Sequence, residues 1–377
     1  MSQQAGMNTV CVHSARTPDP ATGALAAPIH LTTTFERDAD GAYPRGYRYS
    51  REETPNRDAL ESCLAALERG TGALAFASGL AANMAVLELL SAGERLVAPL
   101  ETYYGTRHQF LEHAGRRGVT VDLVDFSDPA ALEAALAKRV HLLWIETPAN
   151  PLLTITDLRL VAAMGHKAGA LVVCDNTFAT PVCQRPFEFG ADIVVHSGTK
   201  YLGGHSDVLS GALVIREDAD LLARLRAWQR MAGSALSPFD CWLLRRSITT
   251  LALRVRAQCA GALVVAGFLA RQHAIERVFY PGLPQHPGHA IAAAQMSGGF
   301  GAMLSVCVAG GKPAAMRIAA RTRLFRRATS LGAVESLIEH RASIEGPGTR
   351  TPDNLLRLSV GIEEPEDLTA DLAQALE

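Results

Sequence analysis

Seven short apolar runs between residues 73 and 215 constrain the fold of this chain more than any other feature. Helical stretches separate most of them, for example AALEAALAKR at 130–139 and LRLVAAMGHKAG at 158–169. Such alternation is typical of an α/β domain with a mainly parallel sheet. The seven predicted strands cover residues 73–77, 96–98, 121–125, 140–145, 171–174, 193–195 and 212–215.

The rest of the chain differs in pattern on either side of this region. Residues 1–55 are rich in Thr, Pro, Gly and Tyr and lack a sustained helical period, which predicts an extended arm that reaches another subunit. From about residue 216 the chain becomes helical, and two later apolar runs predict strands at 303–308 and 355–360. We therefore predict three parts: the arm, an α/β domain over 56–240 and a smaller α+β domain over 241–377.

The composition excludes several classes of function. Of the 377 residues, 48% are hydrophobic and 20% are charged, and the formal net charge is -2, which argues against nucleic acid or an anionic membrane as a partner. No stretch looks long and apolar enough to span a bilayer, and the N-terminus lacks a signal-peptide pattern, so we expect a cytoplasmic protein. The seven cysteines are scattered without a CxxC pair, and we predict neither a disulfide framework nor a metal site.

One lysine, Lys200, follows the sixth run within ADIVVHSGTKYLGGHSDV at 191–208. The β-branched residues 193–195 predict a strand covered on both faces, which small or polar residues then end. An amine held against apolar walls has a lowered pKa and becomes a usable nucleophile towards an aldehyde. Ser197 and Thr199 flank the lysine with hydroxyl groups suited to a phosphate. The alternative is a surface lysine in a glycine-rich turn.

Two other strand ends carry polar groups at the edge where open α/β sheets bind ligands. After the first strand, Ser78 can cap a helix and Gly79 lets backbone N–H groups approach an anion. After the fifth strand, Asp175 is predicted to be buried, and its charge then requires a cation such as a protonated pyridine nitrogen. The alternatives are an ordinary helix start at Ser78 and a helix-capping role for Asp175.

Eight motifs occur in order along the chain: YRYSR at 47–51, FASGLAAN at 76–83, YYGTRHQF at 103–110, ETPANPLL at 146–153, VCDNTFATP at 173–181, SGTKYLGGHSDV at 197–208, SLGAVESLIEH at 330–340 and LLRLSVGIE at 355–363. With these motifs the chain resembles, over nearly its whole length, the pyridoxal 5'-phosphate (PLP)-dependent enzymes of cysteine and methionine metabolism. The resemblance implies bound PLP and the aspartate-aminotransferase-like fold, fold type I of PLP enzymes. That fold has a mainly parallel seven-stranded sheet domain, a smaller α+β domain and an N-terminal arm.

The resemblance also implies a role for each matching residue. Lys200 is similar to the lysine that binds the cofactor aldehyde covalently and then moves protons between substrate carbons. Asp175 is similar to the partner of the pyridine nitrogen. Tyr103 is similar to the tyrosine that stacks on the cofactor ring and helps to protonate the leaving group. The residues implied to hold the phosphate are Gly79, Leu80, Ser197 and Thr199.

Further matching residues concern the substrate and the neighbouring subunit. Tyr49 and Arg51 are similar to residues that reach the phosphate in the neighbouring subunit, which implies a catalytic dimer and favours a homotetramer. Arg357, inside the apolar run LLRLSV, is similar to the arginine that binds the substrate α-carboxylate. Asn150 and Ser330 are similar to polar residues near the cofactor oxygen, the carboxylate and the lysine. The alternatives for them are a turn residue and a helix cap.

The sequence departs from the family pattern at three places. Tyr104 stands where the family has the first glycine of Tyr-Gly-Gly-Thr, so the ring-stacking role can belong to Tyr104 instead of Tyr103. Thr329 stands where many cystathionine γ-synthases and γ-lyases have a glutamate for the distal amino group. Residues 341–348 differ from the family's longer Met-Thr-His segment, which predicts a remodelled substrate entrance. Nearby charges that can substitute for that glutamate are Arg341, Glu345, Arg350, Glu52 and Glu53.

These roles predict γ-elimination or γ-replacement on a sulfur-containing or O-activated homoserine-type amino acid, as in cystathionine γ-lyases and γ-synthases. Alternatives within the family are cystathionine β-lyase, methionine γ-lyase and O-acylhomoserine sulfhydrylase activities. An aminotransferase of the same fold and a non-catalytic PLP-binding protein are more distant alternatives. The predicted partners are a small amino-acid substrate and further copies of the chain.

Overall fold

Seven strands form the larger of two sheets in the computed structural model, which describes residues 5–346 and 350–377. Their order across the sheet is β1-β7-β6-β5-β4-β2-β3; β7 runs antiparallel to both of its neighbours and every other pair is parallel. All seven predicted strands and the mainly parallel sheet are thereby confirmed. The strands are β1 (Gly72–Phe76), β2 (Arg95–Pro99), β3 (Thr120–Val124), β4 (Leu142–Glu146), β5 (Leu171–Asp175), β6 (Ile193–Ser197) and β7 (Gly211–Ile215).

Helices cover both faces of this sheet. Along β6, Val194 packs into one apolar cluster while Ile193 and Val195 pack into another, which is the two-sided burial that a β-branched run predicts. Most of the longer helices begin at a side chain that caps the first turn; Ser78, for example, accepts from the amide of Ala81 at 3.1 Å. The α-helices in the first 232 residues are α1 (Met7–His13), α2 (Pro55–Glu68), α3 (Gly79–Leu87), α4 (Tyr104–His108), α5 (Pro129–Leu136), α6 (Leu158–Lys167), α7 (Thr180–Cys183) and α8 (Ala219–Ala232).

A second, smaller sheet of five strands lies in the C-terminal part, in the order β10-β11-β12-β9-β8. The predicted strands at 303–308 and 355–360 are present, whereas the other three strands were not predicted. Its strands are β8 (Ile275–Phe279), β9 (Met303–Val308), β10 (Arg326–Arg327), β11 (Leu337–His340) and β12 (Leu355–Ser359). The accompanying helices are α9 (Pro238–Ile248), α10 (Leu251–Leu269), α11 (His289–Gln295), α12 (Gly311–Arg321), α13 (Arg341–Glu345) and α14 (Pro365–Leu376).

Two helices differ from the sequence-based expectation. The N-terminal region contains the short helix α1, whose Val10 and Cys11 are buried, so the chain is not extended throughout residues 1–55. The expectation that no stretch is long and apolar enough to span a membrane was also wrong: α10 meets both criteria, with a mean hydropathy of 1.4. Since 56% of that stretch is buried inside the protein, α10 resembles the core helix of a globular protein.

The topology brings distant parts of the chain to one edge of the large sheet. β1, β2, β4, β5 and β6 all run in the same direction, so the segments that follow them meet at their carboxyl ends. The candidate ligand contacts between Gly79 and Lys200 all lie at the carboxyl end of one of these strands or in the segment that follows it. The second sheet contributes Arg357 from β12 to the same place.

Candidate active site

A cavity of about 420 Å³ lies at this edge of the sheet. It is lined by ten of the twelve predicted site residues: Gly79, Leu80, Tyr103, Asn150, Asp175, Ser197, Thr199, Lys200, Ser330 and Arg357. Tyr49 and Arg51 are not among the described residues that line it. A larger cavity of about 970 Å³ adjoins it and shares Tyr103 and Asn150, but Lys200 lines the smaller one.

Lys200 extends from the turn after β6 into the cavity, where its Nζ donates to Ser330 Oγ at 2.8 Å. Burial, together with the nearby guanidinium groups of Arg357 and Arg341, lowers the pKa of Lys200 to about 8, whereas Glu339 opposes the shift. A substantial fraction of the amine is therefore neutral near physiological pH. The structure favours a nucleophile over a solvated surface lysine at this position.

This lowered pKa predicts how the cofactor-free protein reacts with free PLP. Only the neutral amine attacks an aldehyde, so the loading rate should rise with pH, pass its midpoint at about pH 8 and level off above it. A lysine with the ordinary pKa of 10.5 would give a rate that still rises steeply at about pH 9 to 10. Stopped-flow measurement of the visible absorption after mixing, at a series of pH values, distinguishes the two profiles.

Two carboxylates also line the cavity, at the ends of neighbouring strands. Asp175 and Glu146 are direct partners in the register of β5 and β4. The Asp175 carboxylate accepts from the backbone amide of Thr177 at 3.0 Å, and among the described residues no lysine or arginine forms an ion pair with it. Burial raises the pKa of Asp175; burial and the charge of Asp175 raise that of Glu146. A cation in the cavity would stabilise the charged form of Asp175.

A turn whose free amides suit an anion lies between β1 and α3. The first amides of a helix have no intrahelical acceptor, so those of Gly79 and Leu80 are available to a ligand, at the positive end of the helix. β7 approaches this turn so closely that a Cβ on Gly211 would lie 2.0 Å from the Ser78 carbonyl oxygen. A residue with a side chain therefore does not fit at position 211. Ser197 lines the same region, whereas the Thr199 hydroxyl donates to the carbonyl of Ser210 at 3.1 Å.

Both tyrosines of the Tyr-Tyr-Gly-Thr segment line the cavity, with their rings in edge-to-face contact at a centroid distance of 4.9 Å. Tyr103 is half-buried and its backbone amide donates to Glu146 at 2.9 Å, whereas Tyr104 is 42% exposed. Burial, with a further contribution from Tyr104, raises the pKa of Tyr103 to about 12, so its phenol stays protonated at neutral pH. A Cβ on Gly105 would lie 2.7 Å from the Tyr103 ring.

Arg357 is buried in β12 and its guanidinium reaches the cavity from the second sheet. It donates to Asn150 Oδ1 and to the carbonyl of Ser330, each at 3.0 Å, and forms an ion pair with Glu339 at 2.5 Å. Ser330 has a φ of 81°, which is strained for a residue with a side chain and is frequent at functional sites. Through its hydroxyl and its carbonyl, this one residue contacts both Lys200 and Arg357.

The two arm residues lie elsewhere. Arg51 donates to the carbonyl of Arg230 at 2.8 Å, and its guanidinium lies 5.5 Å from the Tyr49 ring centroid.

Thr329, one of the positions that depart from the family pattern, lines the cavity and is exposed. Of the altered segment, Arg341 to Glu345 form α13 and Arg341 lines the cavity; Pro347 and Gly348 are outside the described residues.

Sequence reasoning missed Glu146 and Thr177 as parts of this site. Glu146 accepts three hydrogen bonds, from the Thr102 hydroxyl at 2.5 Å and from the amides of Tyr103 at 2.9 Å and Asn150 at 3.0 Å. Thr177 accepts from the amide of Ser197 at 2.9 Å and donates its own amide to Asp175. Glu146 ends β4, and the neighbouring strand β5 ends in Asp175. This position at the end of a strand could have identified Glu146 as a site residue from the sequence.

Comparison with known proteins assigns the family. The sequence model of the family described as Cys/Met metabolism PLP-dependent enzyme matches residues 8–377. The chain belongs to this family. Membership in this PLP-dependent family confirms the resemblance, the fold class and the cofactor expected from the sequence.

Similar members of the family carry different names. A cystathionine gamma-synthase from Mycobacterium bovis is 46% identical over 98% of this chain and 97% of its own length. A cystathionine beta-lyase from Coxiella burnetii is 40% identical over 100% of this chain and 99% of its own length. The crystal structure of apo CalE6, a methionine gamma lyase from Micromonospora echinospora, has a TM-score of 0.93 and 44% identity and covers 99% of each chain. Overall identity therefore does not distinguish these reactions.

The residues of the cavity fit the cofactor of this PLP-dependent family. Lys200 offers an amine of lowered pKa for the aldehyde, and Asp175 is a half-buried carboxylate without an ion-pair partner among the described residues. The helix amides of Gly79 and Leu80 suit a phosphate. The aromatic ring of Tyr103 lines the same cavity. The aldehyde, the ring nitrogen and the phosphate of PLP thus each have a suitable group in this cavity.

Proposed function

We propose that this enzyme catalyses γ-elimination or γ-replacement on a sulfur-containing or O-activated homoserine-type amino acid. The observation that carries the proposal is the group of contacts around Ser330, which holds the Lys200 amine beside the Arg357 guanidinium. An amino acid bound by its carboxylate at Arg357 presents its Cα to Lys200. The names of the similar proteins support the same class of chemistry.

Each residue has a defined task in this proposal. When bound, PLP withdraws electrons from the substrate Cα, and Asp175 supports this by keeping a positive charge on the ring nitrogen. The neutral amine of Lys200 would take the proton from Cα, give it up to the bound cofactor, and in its neutral form again take one from Cβ, after which the γ-substituent departs. Tyr103, whose phenol is protonated, donates a proton to the leaving group. Arg357 and Asn150 orient the substrate by its α-carboxylate.

The product profile of the purified, cofactor-loaded enzyme tests this proposal. The substrates are cystathionine, methionine, homocysteine, O-acetylhomoserine and O-succinylhomoserine, each with and without cysteine. 2-Oxobutyrate and ammonia would establish γ-elimination, and a new thioether formed only with cysteine would establish a synthase. Pyruvate from cystathionine would assign a β-lyase instead. Amino transfer to a keto acid without loss of a leaving group would assign an aminotransferase, and binding without turnover a non-catalytic protein.

We also propose that the active unit is a cytoplasmic homodimer whose arms complete each other's sites, and that two dimers form a tetramer. Tyr49 and Arg51 lie outside the cavity of their own chain but carry groups suited to a phosphate. Leu25 and Leu31, on the same segment, are about 70% exposed, which suits burial against another subunit. All seven cysteines are free thiols, as is usual in a reducing compartment.

Mixing two inactive variants tests the shared sites. Arg51→Ala and Lys200→Ala are each expected to be nearly inactive alone, because one loses the phosphate contact and the other the amine. In a mixed C2 dimer one site then carries both changes and the other carries neither. We expect activity to return when the two variants are unfolded and refolded together. No recovery, with mixed dimers demonstrated by mass spectrometry, would place Arg51 in its own subunit's site.

A further inference from the structure

Two buried cysteines, Cys183 and Cys259, are in direct contact, and neither is among the described residues that line the two cavities. Their sulfur atoms lie 3.8 Å apart, and one thiol donates a hydrogen bond to the other. Cys183 is the last residue of α7, and Cys259 lies in the middle of α10. A disulfide has a sulfur–sulfur distance of about 2.05 Å, so the two atoms need to approach by roughly 1.8 Å to form one.

The contact makes the two thiols unequal. The hydrogen bond from Cys259 lowers the pKa of Cys183, although burial opposes this shift. The same hydrogen bond, together with burial, raises the pKa of Cys259 well above its usual range. In the five remaining cysteines burial raises the pKa. Because the thiolate is the form that attacks an oxidant, Cys183 is the cysteine best suited to be oxidised first.

A glycine-rich loop covers the pair on one side. A Cβ on Gly299 would lie 2.8 Å from the Cys259 sulfur and 4.0 Å from the Cys183 sulfur, so the loop backbone lies directly against them. Gly299 is partly exposed, and Ser297 and Gly298 beside it are exposed. The amide of Ser297 donates to the Cys183 carbonyl at 2.8 Å. Local opening of this surface loop gives a small oxidant access to both sulfur atoms.

The two helices that carry the pair also support the active site. On α10, Arg254 donates to the carbonyl of Tyr201 at 2.9 Å, and Tyr201 directly follows Lys200. On the other side, Cys183 lies five residues after Phe178, which lines the smaller cavity. A bond between the two sulfur atoms would move α7 against α10 and thereby shift the segment of Phe178 relative to that of Lys200.

We propose that Cys183 and Cys259 are a reversible oxidation site that reacts with a hydroperoxide and forms a disulfide between α7 and α10. With hydrogen peroxide, the Cys183 thiolate attacks one oxygen, the O–O bond breaks, and the leaving hydroxide takes up a proton as water. The Cys259 sulfur then attacks the sulfenic acid on Cys183, whose S–O bond breaks, and the hydroxide leaves with the Cys259 proton as water. Two thiols and one peroxide thus give one disulfide and two water molecules, and a dithiol reductant reverses the change.

Peptide mapping of the PLP-loaded enzyme tests the site. The enzyme is treated with hydrogen peroxide, its remaining thiols are alkylated in denaturant, and its peptides are analysed by mass spectrometry without reduction. We expect a peptide pair linked through Cys183 and Cys259 and the loss of two of the seven free thiols, which dithiothreitol should restore. Cys307 is the internal control, because at 9% it is the most exposed of the seven cysteines. If exposure alone decided, it would be oxidised first.

Single substitutions test the order of the two steps. In Cys259→Ala the disulfide cannot form, so Cys183 should accumulate as a sulfenic acid that dimedone traps. In Cys183→Ala, the thiol of Cys259 should react with peroxide at least about tenfold more slowly than Cys183 does in Cys259→Ala. Cys307→Ala is the matched control and should form the same disulfide as the unmodified enzyme. Faster trapping on Cys259 than on Cys183 would overturn the proposed order.

The visible circular dichroism of bound PLP tests the effect on the active site without depending on which reaction the enzyme catalyses. The signal should change when the unmodified enzyme is oxidised and return after dithiothreitol. Peroxide-treated Cys183→Ala, which cannot form the disulfide, should keep the original signal. A disulfide that leaves the signal unchanged would overturn the coupling between this pair and the active site.

Two results of the peptide map would overturn the inference as a whole. One is oxidation of Cys307 before the pair, and the other is the recovery of all seven free thiols after peroxide treatment. Both are measured on the unmodified enzyme and therefore decide the matter even if a substituted protein does not fold. Neither result bears on the proposed function, because the product profile is measured under reducing conditions.

Discussion

Lys200→Ala should abolish turnover, with a loss of at least about 10³-fold in kcat, and should remove the visible absorption of covalently bound PLP. The amine is both the point of attachment for the cofactor and the proposed base at Cα and Cβ, so a single change removes two functions. The cofactor should still bind through the phosphate turn and Asp175, since those contacts do not involve Lys200. Absorption spectra and single-turnover kinetics of the reconstituted variant measure both effects.

The chain offers a close control for this change. Lys312 is an exposed lysine on α12, and Lys312→Ala should keep the absorption and the activity of the unmodified enzyme. Borohydride reduction followed by peptide mass spectrometry should label Lys200 and leave Lys312 unlabelled. Retained turnover in Lys200→Ala, or a label on another lysine, would contradict the proposed mechanism.

The large sheet was predictable because its signal is local. Each strand is a short apolar run bounded by small or polar residues, and residues 193–195 are β-branched as well. The predicted ends differ from the observed ones by no more than two residues, as at β4, where 140–145 was expected and 142–146 is observed. The direction of β7 is not local information, because it depends on which strands become neighbours.

The elements that were missed lack such a signal. β8 interrupts its apolar residues with Glu276 and Arg277, and β10 consists of two exposed arginines. β11 has four residues and is held in register by β12. Helix α1 has seven residues, too few for a helical period to stand out, and it is stabilised by packing against α2 and α10.

The candidate site was predictable where it follows strands and not where it depends on pairing across the fold. Lys200 and Asp175 follow β-branched runs, so elementary sheet geometry places them at one edge. Ser330 and Arg357 were found only through the resemblance to a family. No local sequence pattern indicates that Ser330 forms a hydrogen bond with Lys200, which lies 130 positions away in the sequence.

Asp175→Asn is expected to be the second most severe change, with a loss of about 10³-fold in kcat and little change in the amount of bound PLP. The amide has the size of the carboxylate and can still accept from Thr177, but it cannot stabilise a positive charge on the ring nitrogen. The cofactor therefore withdraws electrons from Cα less strongly. The measurement is kcat together with a pH titration of the bound cofactor's absorption, which should show the ring losing its proton at lower pH in the variant.

Glu146 provides the control that makes this prediction specific, because it is the other carboxylate that lines the cavity and lies next to Asp175 in the sheet. Its oxygens already accept from Thr102, Tyr103 and Asn150, so it holds two loops in place and has little capacity left for a ligand. Glu146→Gln should weaken substrate binding through Tyr103 and Asn150 and leave the cofactor's titration nearly unchanged. Removing the negative charge of Asp175 should also lower the raised pKa of Glu146, since repulsion between the two contributes to it. If Glu146→Gln shifted the cofactor's titration and Asp175→Asn did not, the partner of the ring nitrogen would be Glu146.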